Sequence, residues 1–203
     1  FGNKIQQEES VVTVLFLIRH GETDWNKEGK YTGQTDIPLN EIGRQQVREA
    51  AKALKIHNPK VIYTSDLIRA VETAQLIAKE LHIPIIQDKR LREINQGEWE
   101  GLHISEIHSR YGNQFISHRD NPLIVSAPNG ESIAEVKTRV IDFLNEITAK
   151  HPSEQIVISS HGLVLGIIRT IAMDIPINKV FEFIPENAEI YQIEIQANNE
   201  RTS

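Results

Sequence analysis

The sequence contains no cysteine. This absence excludes disulfide bonds, zinc sites built from thiolates, and every catalytic mechanism in which a thiolate is the nucleophile. Cytoplasmic localisation is the default expectation, and the missing cysteines agree with it.

Long hydrophobic runs and an excess of positive charge are also missing. The longest apolar run extends from Val11 to Ile18 and is broken by Thr13, far short of the roughly 18 residues of a membrane-spanning helix. The formal net charge is −6, whereas nucleic acids and anionic membranes require clustered positive charge on a protein surface. We therefore expect neither a nucleic acid nor a membrane as partner, although a small cationic pocket is compatible with this composition.

The chain has 203 residues, of which 39% are hydrophobic, and this is enough for one globular domain with a packed core. Residues 1–10 have neither the basic start nor the apolar stretch of a signal peptide, so we expect them to be a flexible or processed leader. The domain is expected over residues 11–197, with a tail over residues 198–203. The oligomeric state stays open between a monomer and a homodimer.

Short apolar segments alternate along the chain with segments of helical periodicity. The predicted strands cover residues 11–18, 61–64, 83–87, 156–159 and 191–195. The predicted helices cover residues 40–54, 67–81, 132–147 and 163–172. This alternation predicts an α/β fold with a doubly wound, mostly parallel sheet, and the amphipathic last strand is expected near an edge. Residues 102–129 show only short helical patterns and are expected to form an irregular cap.

Two of the most apolar predicted strands each lead directly into a His-Gly pair. One reads Arg19-His20-Gly21 and the other Ser160-His161-Gly162. In open parallel sheets, ligands bind beyond the carboxyl ends of the strands, so the two histidines are expected to converge there. A glycine beside each histidine would let the backbone approach a ligand closely.

Two arginines accompany these histidines, Arg19 at the same strand end and Arg69 early in the second predicted helix. Guanidinium groups match the paired oxygens of a phosphate, and imidazole can act as a nucleophile or a hydrogen-bond donor. A histidine nucleophile must be neutral, and nearby arginines lower its pKa below the usual value of about 6.5. The set therefore predicts phosphoryl chemistry at His20.

Residues 17–26, which read Leu-Ile-Arg-His-Gly-Glu-Thr-Asp-Trp-Asn, resemble the signature of the histidine phosphatase superfamily, which includes the cofactor-dependent phosphoglycerate mutases. The other elements of the resemblance follow in the family's order: Thr32-Gly33, Arg69, Leu91-Arg92-Glu93, Pro128 to Ser132, and Ser160-His161-Gly162. The resemblance extends from Leu15 to Ile195. It implies a three-layer α/β/α, phosphoglycerate mutase-like fold.

The resemblance also implies roles for individual residues. His20 would attack phosphorus and become phosphohistidine, and Glu93 would act as general acid and then general base. The transferring group would be bound by Arg19, Arg69 and His161. The substrate side would be formed by Asn26, Thr32, Gly33 and Gly162. No metal and no other cofactor is implied.

Each of these residues also has a structural interpretation. Arg69 could form a salt bridge with Asp66 or Glu72, and Glu93 could belong to a surface ion pair. His161 could be a hydrogen-bonded core histidine, and Asn26 and Thr32 could cap turns. Glu22, although close to His20, is expected to orient its loop.

The choice between phosphatase and mutase depends on residues 102–129. Within the family, the mutases carry a lysine and an Arg-Arg pair there to hold the substrate carboxylate, whereas this segment has only Arg110 and Arg119 and no lysine. We therefore predict a metal-independent phosphomonoesterase that acts on a small phosphorylated metabolite. The alternatives are a cofactor-dependent phosphoglycerate mutase and a non-catalytic module that binds phosphorylated ligands. Several apolar residues of the segment either form a pocket cap or pack in the core: Ile104, Ile107, Tyr111, Phe115 and Ile116.

Overall fold

A computed structural model describes residues 12–196. The strands are β1 (Val12–Arg19), β2 (Ile62–Thr64), β3 (Ile85–Gln87), β4 (Gln155–Ser160) and β5 (Ile190–Gln196). The helices are α1 (Asp24–Glu28), α2 (Glu41–Leu54), α3 (Ile68–Leu81), α4 (Ile104–Asp120), α5 (Ile133–Lys150) and α6 (Gly162–Ala172). The leader and the tail expected from the sequence lie outside the described residues.

The five strands form one sheet in the order β3-β2-β4-β1-β5. Four of them are parallel, and β5 joins the edge beside β1 in the antiparallel direction. The mostly parallel sheet and the position of the last strand at an edge are confirmed. Because β1 and β4 are direct neighbours, with Arg19 opposite Ser160, the two His-Gly turns leave the sheet side by side.

Helices cover both faces of the sheet, which confirms the three-layer α/β/α architecture. Leu15 and Leu17 of β1 point to a core formed with α5 and α6. Phe16 and Ile18 point to the opposite core, formed with α2 and α3. The sheet is therefore buried on both faces, and this explains the continuous apolar run of residues 14–18 in β1.

Two of the long helices, α2 and α5, begin at residues whose side chains accept hydrogen bonds from backbone N–H groups of the first turn. Asn40 accepts a hydrogen bond from the backbone N–H of Gly43 and starts α2. Ser132 and Glu135 form a reciprocal capping box at the start of α5. The helices predicted over 40–54, 67–81, 132–147 and 163–172 are confirmed, with small shifts of their ends.

The segment expected to be an irregular cap is more regular than predicted. It contains α4, a helix of 17 residues, and Gly112 interrupts it with φ of 38° and ψ of −105°. The interruption explains why the sequence shows only short helical patterns. Ile107 and Phe115 are buried against Trp99, so these two residues pack in a core, whereas Ile104 and Ile116 are exposed.

Within residues 12–196, no helix has the length and apolar character needed to cross a membrane.

Candidate active site

A cavity of about 240 Å³ opens at the carboxyl ends of β1 and β4. The lining includes eight of the nine site residues predicted from the sequence: Arg19, His20, Asn26, Thr32, Gly33, Arg69, Glu93 and Gly162. The ninth, His161, is fully buried and lies against His20, with 5.2 Å between the two ring centroids. The structure therefore brings all nine residues together.

His20 is buried, and its ring orientation is fixed by one hydrogen bond. Its Nδ1 atom lies 2.8 Å from the carbonyl oxygen of Gly21. A carbonyl only accepts hydrogen bonds, so Nδ1 carries the proton and Nε2 keeps its lone pair. Burial lowers the pKa of His20 well below its usual value, and the charges of Arg69 and Arg19 lower it further. The imidazole is therefore neutral at pH 7, as a nucleophile requires.

His161 differs from His20 in its hydrogen bonding. Burial is again the largest cause that lowers its pKa well below the usual value, followed by the charge of Arg69. Neither ring nitrogen of His161 has a hydrogen-bond partner among the described residues. A neutral ring in this position can donate one hydrogen bond to a ligand from whichever nitrogen carries the proton.

Arg69 is held by the segment that precedes α2. Its guanidinium donates to the carbonyl oxygens of Gly33 at 2.7 Å and Thr35 at 2.9 Å. Burial lowers the pKa of Arg69 to about 10, so it stays protonated at pH 7. Arg69 does not form the salt bridges considered for it, because Asp66 pairs with Arg92 and Glu72 pairs with Arg44.

Arg19 reaches the same cavity from the end of β1. Its Nη1 atom donates to the carbonyl oxygen of Pro185 at 2.8 Å, which anchors the guanidinium to the segment before β5. Burial lowers the pKa of Arg19, while the nearby charges of Glu93 and Glu186 raise it. Two anchored guanidinium groups therefore supply positive charge to the wall of this cavity.

Unpartnered polar atoms are concentrated at this site. Among the described residues, four of the six buried side-chain nitrogens and oxygens without a hydrogen-bond partner belong to Arg19, Arg69 and His161. Each such atom costs about 1–3 kcal/mol when it stays unpaired. An anion with several acceptor oxygens, such as a phosphate group, would accept from the two Nε–H groups and from the one ring N–H of His161. The same residues 12–196 contain no group of three or more His, Asp or Glu side chains arranged to hold a metal ion.

Glu93 lies at the start of α6. One carboxylate oxygen accepts from the backbone N–H of Ile94 at 2.9 Å and the other from that of Leu163 at 3.3 Å. These two hydrogen bonds hold the carboxyl group of Glu93 beside the first turn of α6. The surface ion pair considered for Glu93 is not formed, since the neighbouring Arg92 pairs with Asp66.

Asn26 caps α1 and lines the cavity at the same time. Its Oδ1 atom accepts from the backbone N–H of Thr23 at 3.1 Å and from the side chain of Asn187 at 3.4 Å. These bonds use the oxygen of the amide, which leaves its Nδ2 atom as the donor for a ligand. Glu22 holds the neighbouring loop through Asn40, as expected.

Gly21 and Gly162, the glycines of the two His-Gly turns, are needed for different structural reasons. A Cβ on Gly21 would collide with the backbone of Gly43, so Gly21 allows close packing of α2 against the turn. The expectation that Gly21 admits a ligand is therefore replaced by a packing role. A Cβ on Gly162 would come within 3.0 Å of Ile184 and 3.6 Å of the Arg19 guanidinium, at the cavity wall.

Sequence reasoning missed several residues of the site. The cavity is also lined by Lys30, Tyr31, Ile94, Gln96, Leu163 and Ile184. Most of them lie close in the sequence to predicted site residues, and this closeness could have identified them as lining the cavity. Ile184 and Asn187 carry no such signal, because they reach the site only through the return of the chain toward β5. Asn187 donates to the backbone carbonyl oxygen of His20 at 2.9 Å.

The chain matches the model of the histidine phosphatase superfamily, branch 1, over residues 15–203. It is 32% identical over 182 residues to phosphoserine phosphatase 1 of Hydrogenobacter thermophilus, covering 90% of this chain and 86% of the relative. It is 31% identical over 188 residues to 2,3-bisphosphoglycerate-dependent phosphoglycerate mutase 2 of Gloeobacter violaceus, covering 90% and 82%.

A solved structure supports the same relationship. The mycobacterial glucosyl-3-phosphoglycerate phosphatase, solved with VO3, superposes with a TM-score of 0.80 at 28% identity, covering 88% of this chain and 90% of that one. The chain therefore belongs to the histidine phosphatase superfamily, branch 1, and is an enzyme of the histidine phosphatase type.

Proposed function

We propose that this protein is a metal-independent phosphomonoesterase that hydrolyses small organic phosphates through a phosphohistidine intermediate on His20. One observation carries the proposal. The neutral His20 lines a cavity beside which the Nε atoms of Arg19 and Arg69 and the ring nitrogens of His161 have no protein partner within the described residues. This arrangement suits a nucleophile beside a site for the transferring phosphoryl group.

In the first step, the lone pair of His20 Nε2 attacks phosphorus. A P–N bond forms while the bond between phosphorus and the leaving oxygen breaks, and Glu93 in its protonated form gives its proton to that oxygen. Arg19, Arg69, Asn26 and His161 stabilise the charge that develops on the equatorial phosphoryl oxygens. The alcohol then leaves.

In the second step, water replaces the alcohol. Glu93, now a carboxylate, accepts a proton from the water as its oxygen bonds to phosphorus, and the P–N bond breaks with its electron pair returning to Nε2. The products are inorganic phosphate, neutral His20 and protonated Glu93, which restores the starting state. Positive charge comes from the two arginines, so no step requires a metal.

The relatives support hydrolysis as the reaction. Two of the similar proteins carry names that describe phosphatases, and the cavity of about 240 Å³ favours a small phosphate ester. Thr32, Gly33 and Gly162 lie on the wall that the organic part of such an ester would contact. The cytoplasmic location stays a prediction.

The test is hydrolysis of p-nitrophenyl phosphate by the purified protein in the presence of a chelator. After rapid quenching, mass spectrometry should find an acid-labile phosphate on the peptide that contains His20. Absence of turnover, or undiminished turnover in a His20→Ala variant, contradicts the proposed mechanism. A non-catalytic binding module would bind phosphate esters without releasing inorganic phosphate.

A mutase is the second candidate, because one relative bears that name. The discriminating experiment supplies 3-phosphoglycerate with a bisphosphoglycerate primer and follows both products. We expect release of inorganic phosphate from any ester that is consumed. Rapid formation of 2-phosphoglycerate without release of phosphate would show that the protein is a mutase and not a phosphatase.

A further inference from the structure

The backbone carbonyl of Glu93 is held from behind the cavity by two side chains. Its oxygen accepts from Gln34 Nε2 at 3.0 Å and from Arg139 Nη2 at 3.1 Å. Neither side chain lines the cavity. Both therefore act on Glu93 from outside the cavity wall.

Arg139 fixes more than one point of this segment. It lies in α5 and is largely buried, and its Nη1 atom donates to the carbonyl oxygen of Arg90 at 2.6 Å. One planar guanidinium thus binds two carbonyls three residues apart, on either side of Leu91 and Arg92. Because the donors of arginine have a fixed geometry, this contact sets both the position and the direction of the chain that enters Glu93.

Glu131 orients the donors that hold Glu93. Its carboxylate pairs with Arg139 through two contacts of 3.1 Å each, from Nε and from Nη2. The same carboxylate accepts from the backbone N–H of Asn95 at 2.8 Å and from Gln34 Nε2 at 3.4 Å. Glu93 therefore lies between two fixed points, the carbonyl of residue 90 and the N–H of residue 95.

Gln34, Glu131 and Arg139 form a hydrogen-bond network around Glu93. This network also connects to Arg69, the arginine proposed to bind phosphate. Gln34 lies between Gly33 and Thr35, whose carbonyl oxygens accept from Arg69. The short segment 33–35 thus contacts Arg69 through its backbone and Glu93 through the side chain of Gln34. This connection joins the segment that carries Glu93 to the segment that holds Arg69.

We propose that Glu131 and Arg139, acting with Gln34, are positioning residues that hold the Glu93 carboxyl where it can protonate the leaving oxygen. The inference rests on the proposed role of Glu93 as general acid. A displacement of about 1 Å in a reacting group can cost a hundredfold in rate. Loss of this network should therefore slow the step that needs the acid more than it affects the fold or phosphate binding.

The leaving group separates this role from a structural one. An alkyl phosphate needs a proton on its leaving oxygen, whereas 2,4-dinitrophenyl phosphate expels a stable phenolate without one. We compare kcat/KM for ethyl phosphate and for 2,4-dinitrophenyl phosphate, since kcat/KM reports the first step. Arg139→Lys keeps the charge but loses the paired donors, and Glu131→Gln keeps the shape but loses the charge.

Matched controls come from a similar ion pair outside the network. Arg44 and Glu72 form a partly buried pair in which Glu72 also accepts from a backbone N–H, that of Leu39. Arg44→Lys and Glu72→Gln should change both kcat/KM values by less than about twofold, because neither residue lines the cavity and the pair holds Leu39 instead of Glu93. Thermal unfolding of every variant reports its stability separately.

We expect Arg139→Lys and Glu131→Gln to lower kcat/KM for ethyl phosphate by about tenfold to a hundredfold, and that for 2,4-dinitrophenyl phosphate by less than about twofold. Glu93→Gln should show the same selectivity with a larger loss. If Glu93→Gln is selective but both network variants match the controls, the positioning role is overturned and the proposed function stands. If Glu93→Gln itself shows no selectivity, the general-acid role in the proposed function fails as well.

Discussion

The two strand-to-helix turns of the active site share a local sequence but differ in their bonding. Both place a buried histidine at the carboxyl end of a central strand, and the two rings lie 5.2 Å apart. The Nδ1 atom of His20 donates to Gly21, so its tautomer is fixed. His161 has no partner among the described residues for either ring nitrogen.

This difference indicates different roles for the two histidines. A fixed tautomer leaves Nε2 of His20 as a permanent lone pair, which suits a nucleophile, whereas His161 suits a donor to the bound group. A third histidine shows what a structural role looks like. His151 lies at the other end of the sheet, and its ring nitrogens contact the Tyr63 hydroxyl at 2.8 Å and the Glu154 carboxylate at 2.7 Å.

The largest expected effect is the loss of the nucleophile. His20→Ala should lower kcat/KM for p-nitrophenyl phosphate by at least about 10⁴-fold, because no other group in the cavity replaces Nε2. The variant should still bind vanadate, since Arg19 and Arg69 are unchanged. A loss of less than tenfold would show that His20 is not the nucleophile, and the two histidines would then not have the different roles assigned to them.

A smaller loss is expected from the second histidine. His161→Ala removes one donor to the developing charge, which typically costs about 10²–10³ in rate, and phosphohistidine should still form slowly. His151→Ala is the control, with lower thermal stability and nearly unchanged kcat/KM. Equal losses for His20→Ala and His161→Ala would show that the two rings act as one unit.

The turn glycines sharpen the comparison further. Gly21→Ala forces a Cβ against the backbone of Gly43, and overpacking of this kind costs about 1–3 kcal/mol of stability. Gly162→Ala meets mainly the side chain of Ile184, which can move, so its main effect should be a higher KM. Chemical denaturation and steady-state kinetics of both variants check this, and the opposite ranking in stability would contradict it.

The smallest effect concerns pH. The pKa values of His20 and His161 are lowered on folding, so the unfolded chain binds more protons below pH 6.5. The stability from their neutral forms is complete well above pH 6.5 and is lost progressively as the pH falls below it. A His20→Gln/His161→Gln variant should lose less stability than the unchanged chain between pH 7.5 and 5.5 in thermal unfolding. An identical decline in both proteins would argue that these histidines are not the groups that titrate.

Much of the fold follows from local sequence. The apolar strands, the caps at Asn40 and Ser132, and the periodicity of α2, α3, α5 and α6 predict their elements correctly. The course of α4 was not predicted, because Gly112 interrupts its periodicity and its apolar residues pack against Trp99, which lies outside the helix.

The sequence by itself determined that sulfur chemistry is absent, that the sheet is mostly parallel and covered on both faces, and that two histidines and two arginines converge at one sheet end. These features depend on residue type, on periodicity and on the order of strands. Only the tertiary structure decided which ring of the two turns has a fixed proton, that Gly21 serves packing against Gly43, and that Glu131 and Arg139 hold Glu93. Each of these depends on contacts between residues distant in the chain or on the path of a single backbone carbonyl, which no local pattern encodes.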